Sequence, residues 1–425
     1  MSVRFACVQC LQKILEEKVF FNTLKTDFEP ENTAFANFLI LTALRRKTVI
    51  DDLLKTLLSK KIKNKHNILK YILLVGAVEI LYMDTPDYAA INEYVNLSKR
   101  ATDKFSAGMV NAVLRKVAQK KDEMKDRCRF PSAFVEILKS DYTEIQIEKM
   151  QKMLIKEAPV DISVKENPEM WAQNLNGILF ENGTIRLSNP KKAIPLLNGY
   201  HDGSWWVQDL AASLPVCFLK NLQGKKVLDL CAAPGGKTAQ LLSKGAMVTA
   251  LDINPERIET LKQNMKRLNL TNNLSVICAD AEEYLASTNQ TFDYILLDAP
   301  CSATGTFRKH PEILHLKTLQ DVQKQLSLQQ NLLSSSASCL AKGGILLYCT
   351  CSLSSDECIK QIEKFLNTHQ NFKLEPLNIS DIKICSGKKI DMQVIDKQVL
   401  RTLPYHMQNE GGADGIFACA LKRIQ

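Results

Sequence analysis

Apolar residues recur three and four apart through "FANFLILTALRR" (Phe35–Arg46) and again through "IDDLLKTLLSKKI" (Ile50–Ile62). That spacing lines one face of a helix. "HNILKYILLVGAVEILYM" (His66–Met83) is apolar on most sides, so it belongs at the centre of a bundle. "INEYVNLSKR" (Ile91–Arg100) and "AGMVNAVLRKVAQKK" (Ala107–Lys121) complete an all-helical region of about 125 residues. The polar stretch "QKKDEMKDRCRFP" ends it at Pro131, a helix breaker.

From Ser132 to about His201 the pattern is mixed. "AFVEILKS" spells a helix, and "VDISVKE" and "GILFENGTIRLS" spell short strands. After Trp205 strands and helices alternate. The strands are "KKVLDL", "MVTALDI", "LSVICAD", "FDYILLDAP" and "GGILLYCTC", with "KTAQLLSKG" and "PERIETLKQNMKRLNL" as helices between the first three. Such alternation predicts an α/β fold with a parallel, doubly wound sheet. The expected domains are residues 1–128, all helical; 129–204, a small α+β subdomain; and 205–425, the doubly wound domain.

Charge sharpens this division. Residues 1–130 carry 23 Lys and Arg against 15 Asp and Glu, so they hold +8 of the chain's net +9. A basic excess of this kind suits an anionic partner, nucleic acid first; a solvated basic surface is the alternative. Met1–Leu24 lacks the apolar core of a secretory signal. The run Tyr71–Met83 is too short to span a bilayer and contains Glu79. A cytoplasmic protein with reduced thiols is expected, with no membrane association and no structural disulfides among its 13 cysteines. Cys7 and Cys10 form a lone CxxC in a helical pattern, so no metal site is expected.

The candidate chemistry lies in the doubly wound region. "LDLCAAPGGKTAQLL" (Leu228–Leu242) reads as strand, tight turn and helix. Gly235 and Gly236 let the backbone approach a ligand closely. The pattern is neither the dinucleotide GxGxxG nor a P-loop, which argues against a nicotinamide dehydrogenase. Asp252, Asp280 and Asp298 sit at the ends of successive strand patterns, at the sheet edge where ligands bind. Any one of them alone could be a loop cap. Together they suit a ribose diol and a cation, and S-adenosylmethionine, an adenosine with a sulfonium, fits acidic walls better than a pyrophosphate does.

Two thiols complete the pattern. "LDAPCSATGTFRKHPE" puts Cys301 three residues beyond Asp298, and "YCTCS" puts Cys351 just past the next long strand. Neighbouring strands would point both thiols into one crevice. A thiolate added to carbon 6 of a pyrimidine turns carbon 5 into an enamine nucleophile, able to attack a methyl sulfonium. "SLSSDECIKQIEKFL" follows Cys351 with a capping-box spelling from Ser354 to Glu357, and a helix start beside a thiol favours its thiolate. Asp298 could bond the cytosine edge. Arg308, Lys309 and His310 suit phosphate contacts, with a solvated loop as the alternative. Cys349 reads as a buried strand residue, and Trp205 and Trp206 as packing residues, with base stacking the alternative.

"DLCAAPGGKT", "LDAPCSATG" and "TCSL" together resemble the RNA cytosine-C5 methyltransferases, and more closely the bacterial RsmB (Sun/Fmu) type, which methylates 16S ribosomal RNA. "ALRR", "AAINEYVNLSKR" and "VNAVLRKV" resemble that type's NusB-like RNA-binding domain. "GSWWVQDLAASLP" resembles its lead-in to the catalytic domain, and "GGADGIFACALKR" its closing strand. The resemblance implies a Rossmann-like methyltransferase sheet, S-adenosylmethionine as methyl donor, and small-subunit ribosomal RNA as partner, at the family's cytosine 967. A monomer without metal is expected. The resemblance implies Cys351 as nucleophile and Cys301 as the thiol that helps release product. Cys231, Ala232, Ala233, Pro234, Gly235, Gly236 and Lys237 match the cofactor loop; Asp252, Arg257, Asp280 and Asp298 match its surroundings, with Asp298 also near the target base. The chain departs from the family pattern at Ala303, where glycine is usual, at Cys358, where asparagine is usual, and at Ser163, where arginine is usual. Transfer RNA as substrate, or an idle RNA-binding assembly factor, are the competing functions; the pair of thiols argues against the latter.

Overall fold

The computed structural model describes residues 2–24, 28–62, 66–102, 104–187, 192–377 and 398–425. It divides into two compact units. One holds the residues up to Lys156 together with Phe307–Thr318; the other holds Glu157–Thr306 and Leu319–Gln425.

The first unit is helical. Its long helices are Val3–Glu16, Pro30–Leu57, Ile68–Tyr82, Asp87–Ala101 and Lys104–Ala118. The two patterns Phe35–Arg46 and Ile50–Ile62 fall largely on one continuous helix, because neither Gly nor Pro interrupts them before Leu57. Ile68–Tyr82 is buried on nearly every side, as its composition requires. It buries Glu79, which accepts two hydrogen bonds from the Arg4 guanidinium and one from the Tyr94 hydroxyl. Burial opposes that carboxylate's charge, and these donors outweigh it and hold its pKa below the ordinary value.

The expected boundary near residue 128 does not separate the units. The helices Ser132–Leu138 and Glu144–Lys152, assigned to the small subdomain on sequence, belong to the helical unit. They are joined there by Phe307–Thr318, a segment far along the chain. The Phe307 ring packs edge-on against Phe130 and Phe134, with centroids 5.0 and 5.9 Å away. The His315 Nε2 donates to the Leu44 carbonyl at 2.8 Å. Burial pushes the His315 pKa down to about 4, so the ring is neutral at pH 7.

The second unit contains two sheets. β1 (Val160–Val164), β2 (Gly177–Leu179), β3 (Thr184–Leu187) and β4 (Trp205–Val207) form an antiparallel sheet in the order β2-β3-β1-β4. Trp205 and Trp206 are buried, and their indole N–H groups donate to the Asn198 carbonyl and the Gln208 side chain; they are packing residues. Ser163 also donates to Gln208, at 2.8 Å.

The large sheet contains β5 (Lys226–Leu230), β6 (Met247–Asp252), β7 (Leu274–Cys278), β8 (Phe292–Asp298), β9 (Leu340–Thr350), β10 (Phe372–Glu375), β11 (Val399–Arg401) and β12 (Phe417–Arg423). Its order is β10-β12-β9-β8-β5-β6-β7, with β11 on β12. β5 to β9 are parallel and β12 runs against β9. The chain winds outward from β5 through β6 and β7, then returns to lay β8 on the other side of β5. That reversal is the switch point at which such sheets open a crevice beyond the strand ends. No helix among the described residues is long and apolar enough to cross a membrane.

Candidate active site

β5 ends at Leu230 and the chain turns sharply into the helix Gly236–Ser243. Gly235 makes the turn at φ +101°, where a Cβ would meet the Met265 side chain at 2.9 Å. Ala233–Pro234 is a cis peptide. Asp252, the last residue of β6, accepts from the Ala233 N–H at 3.2 Å. Arg257 spans the same turn, pairing with Asp252 at 3.3 Å and donating to the Ala233 carbonyl. Asn264 donates to the Pro234 carbonyl. The turn is thus held from outside by its own neighbours.

Lys237, on the first turn of that helix, reaches Asp298 at the end of β8, with Nζ 2.6 Å from Oδ2. Burial works against the ammonium, but Asp298 outweighs it and raises its pKa. Beneath them Asp229 is wholly buried. One of its oxygens accepts from Thr238, and the other has no hydrogen-bond partner among the described residues. Burial, with the Thr238 bond opposing, pushes the Asp229 carboxyl up to about 7. Burial first, and then the charges of Asp298 and Asp252, push the Cys231 thiol up to about 12. Asp280 lies just past β7, and its Oδ1 caps the helix Ala281–Ser287 by accepting from the Glu282 and Glu283 N–H groups.

The two thiols meet. β8 and β9 are parallel neighbours with Asp298 opposite Cys349, and the Ala299 N–H donates to the Cys349 carbonyl at 2.9 Å. The Cys301 Sγ lies 3.4 Å from the Cys351 Sγ. The hydrogen bond to Cys351, and then burial, push the Cys301 thiol well above its ordinary value. The loops that carry them are bonded directly, since the Gly305 N–H donates to the Cys351 carbonyl at 2.8 Å. Gly305 must be glycine, because a Cβ there would lie 2.0 Å from the Gly415 carbonyl. Ala303 occupies the left-handed region at φ +59°, which accounts for the glycine that the resemblance leads one to expect there. Cys349 is buried in the core, as its place in the strand pattern implied.

The capping box expected between Ser354 and Glu357 does not form. Ser354 caps only a short 3-10 turn, Ser355–Glu357, and the α-helix begins at Ile359, so no α-helix starts directly beside Cys351. Glu357 turns inward instead. Its Oε1 accepts from the Ser302 N–H and from Gln329, and its Oε2 accepts from the Ser302 and Ser352 hydroxyls. Arg401 on β11 donates to the Ser352 and Leu353 carbonyls at 2.7 and 2.6 Å and reaches the Cys358 sulfur at 3.2 Å. Cys358 therefore still joins the bonding behind the Cys351 loop, through sulfur. Sequence patterns pointed to neither Glu357 nor Arg401 as a site residue. The serines in "PCS" and "TCS" were the available signal, since buried hydroxyls need acceptors.

Arg308 is buried in the helical unit, where its carbonyl accepts from Arg45, so it does not sit on a solvated loop. His310 lies 3.7 Å from Glu312 in the same segment.

The fold and the turn after β5 place the second unit among the Rossmann-like methyltransferases. A family model described as 16S rRNA methyltransferase RsmB/F matches residues 216–422, and one for the NusB family matches residues 1–119. Ribosomal RNA small subunit methyltransferase B of Photorhabdus laumondii is 31% identical, with 92% of this chain and 95% of that protein covered. The protein of the same name from Pasteurella multocida is 28% identical over 100% of this chain and 96% of its own. Among solved structures, PH0851 covers 100% of this chain and 99% of its own with a TM-score of 0.76 at 22% identity. NSun6 from Pyrococcus horikoshii with SFG covers 70% and 99% with a TM-score of 0.57 at 19% identity. The chain belongs to the ribosomal RNA small subunit methyltransferase B family.

Proposed function

We propose that the protein methylates carbon 5 of a cytosine in small-subunit ribosomal RNA, through a covalent bond between Cys351 and carbon 6. The observation that carries this reading is the 3.4 Å approach of Cys301 to Cys351 at the ends of adjacent strands. A binding surface needs no such pair. The names of the relatives supply the RNA class.

S-adenosylmethionine supplies an electrophilic methyl group when bound. The residues around the β5 turn fit it: Asp252 and Asp298 give acidic groups for a cationic ligand, and the buried Asp229 carboxyl keeps one oxygen without a partner among the described residues. Cys231 to Lys237 would hold it through their backbone, and Asp252 and Asp280 would take its polar groups.

The Cys351 sulfur, as thiolate, forms the bond to carbon 6, and the electron pair of the 5,6 double bond makes carbon 5 nucleophilic. Asp298 and Lys237 lie beside the crevice as a hydrogen-bonding pair, suited to the cytosine edge. After methylation the carbon 5 proton passes to water, the carbon 5–hydrogen electron pair re-forms the 5,6 double bond, and the carbon 6–sulfur pair departs with the Cys351 thiolate. Cys301, held as a thiol next to Cys351, assists that departure by donating its hydrogen bond to the leaving sulfur.

The test is release of tritium from small-subunit RNA labelled at carbon 5 of cytosine, with S-adenosylmethionine present. Tritium release equal to methyl incorporation supports the reading. Methyl incorporation without tritium release would place the methyl on another atom. Substituting unmodified transfer RNA in the same assay tests the choice of substrate.

A further inference from the structure

Each of the two thiols is followed directly by a serine, Ser302 and Ser352, and both hydroxyls donate to one oxygen of Glu357 at 2.5 Å. The other oxygen takes the Ser302 N–H at 2.8 Å and the Gln329 amide at 3.1 Å. Gln329 also donates to the Pro300 carbonyl, on the other side of Cys301. Glu357 is fully buried, and its own carbonyl accepts from the Tyr348 hydroxyl, on β9. Its four donors are neutral groups on three separate stretches of chain, two of which carry the reacting sulfurs. A buried carboxylate in this position is costly unless every donor is in place, so its presence ties the two loops to a single separation.

We propose that Glu357 is a positioning residue that sets the spacing of Cys301 from Cys351, and through it the expulsion of Cys351 from the product. This rests on the covalent reading above for its catalytic consequence, but not for the spacing itself. Glutamine at 357 keeps the shape and loses one of the two oxygens that accept, so the hydroxyls of Ser302 and Ser352 can no longer share a carboxylate. The loops then separate while β8, β9 and their pairing remain.

The spacing can be read without RNA. Diamide oxidises two neighbouring thiols to a disulfide and is itself reduced to the hydrazine, both protons coming from the thiols. In the native full-length protein, peptide mass spectrometry should find the Cys301–Cys351 disulfide forming at least about tenfold more slowly in Glu357→Gln than in the wild type. Ser352→Ala, which leaves the carboxylate in place, is the second variant and should slow it to a lesser degree. In the RNA assay, Glu357→Gln should accumulate enzyme bound covalently to RNA, and Glu357→Asp should restore part of the turnover. An unchanged disulfide rate in both variants overturns the positioning role. A slowed disulfide rate with normal turnover and no accumulated adduct overturns its catalytic consequence. If the wild type releases no tritium from any RNA, the covalent reading fails, while the disulfide rates still decide the spacing.

Discussion

The Lys237 ammonium and the Asp298 carboxylate, 2.6 Å apart, join the helix after β5 to the end of β8 across the switch point of the sheet. The pair ties together the helix and the strand end on which the proposed chemistry depends. Replacing Lys237 with Met leaves Asp298 without its cation and adds negative charge to the acidic wall. The expected result is at least a tenfold loss of turnover, equivalent to about 1.4 kcal/mol, with a smaller loss in Lys237→Met/Asp298→Asn if the stranded charge is the main fault. Steady-state kinetics on the three proteins measures it.

Cys351→Ser should abolish tritium release, and Cys301→Ser should leave a protein–RNA adduct that survives denaturation. Gel mobility under denaturing conditions checks both. An adduct that survives Cys351→Ser would reverse the two roles.

Asp229 gives a pH signature. Its carboxyl is raised from 3.8 to about 7 in the folded protein. Between those values the folded state holds a proton that the unfolded state has lost, so stability falls as pH rises across the window. Asp229→Asn should remove that loss, so the variant should gain on the wild type from pH 4 to pH 7 and hold its gain above. His315 contributes the opposite slope. Its pKa is lowered from 6.5 to about 4, so stability is lost as pH falls through that range. Chemical denaturation of wild type, Asp229→Asn and His315→Gln across pH 4 to 8 separates the two; parallel wild-type and Asp229→Asn curves would refute the assignment to Asp229.

Ala303 sits at φ +59° in the loop that carries Cys301. A left-handed alanine costs about 1 kcal/mol that glycine avoids. Ala303→Gly is expected to stabilise the protein by up to about 1 kcal/mol, partly offset by the greater freedom of glycine in the unfolded chain. Denaturant melts report it directly.

The helical unit cannot be cut away cleanly at residue 125. Phe307–Thr318 is part of it, with His315 bonded to Leu44 and the Phe21 N–H donating to Glu312. Deleting residues 1–125 should expose that segment, and trypsin should then cleave after Arg308 or Lys309 on the order of tenfold faster than in the full chain. Equal cleavage rates would show that the segment is held by other contacts.

The sequence revealed the doubly wound sheet because its strands and helices carry strong, separate periods, and β8 and β9 are neighbours as the two thiol motifs required. It revealed the central helix Ile68–Tyr82 from its all-round apolar character. The assignment of Ser132–Lys152 missed, because a short amphipathic helix does not declare which core receives its apolar face. Glu357 was read as a helix cap because Ser354 precedes it at the capping distance, whereas in the fold the buried hydroxyls of Ser302 and Ser352 take the carboxylate. Arg401 was invisible for a related reason: its partners are backbone carbonyls of Ser352 and Leu353, which leave no mark on residue identity.

The most direct measurement uses small-subunit RNA containing 5-fluorocytosine, whose fluorine cannot leave as a proton does and so traps the bond at carbon 6. With S-adenosylmethionine present, digestion and mass spectrometry should find the nucleotide on the peptide containing Cys351. A nucleotide on Cys301, or none on either thiol while methyl transfer proceeds with ordinary RNA, would contradict the account.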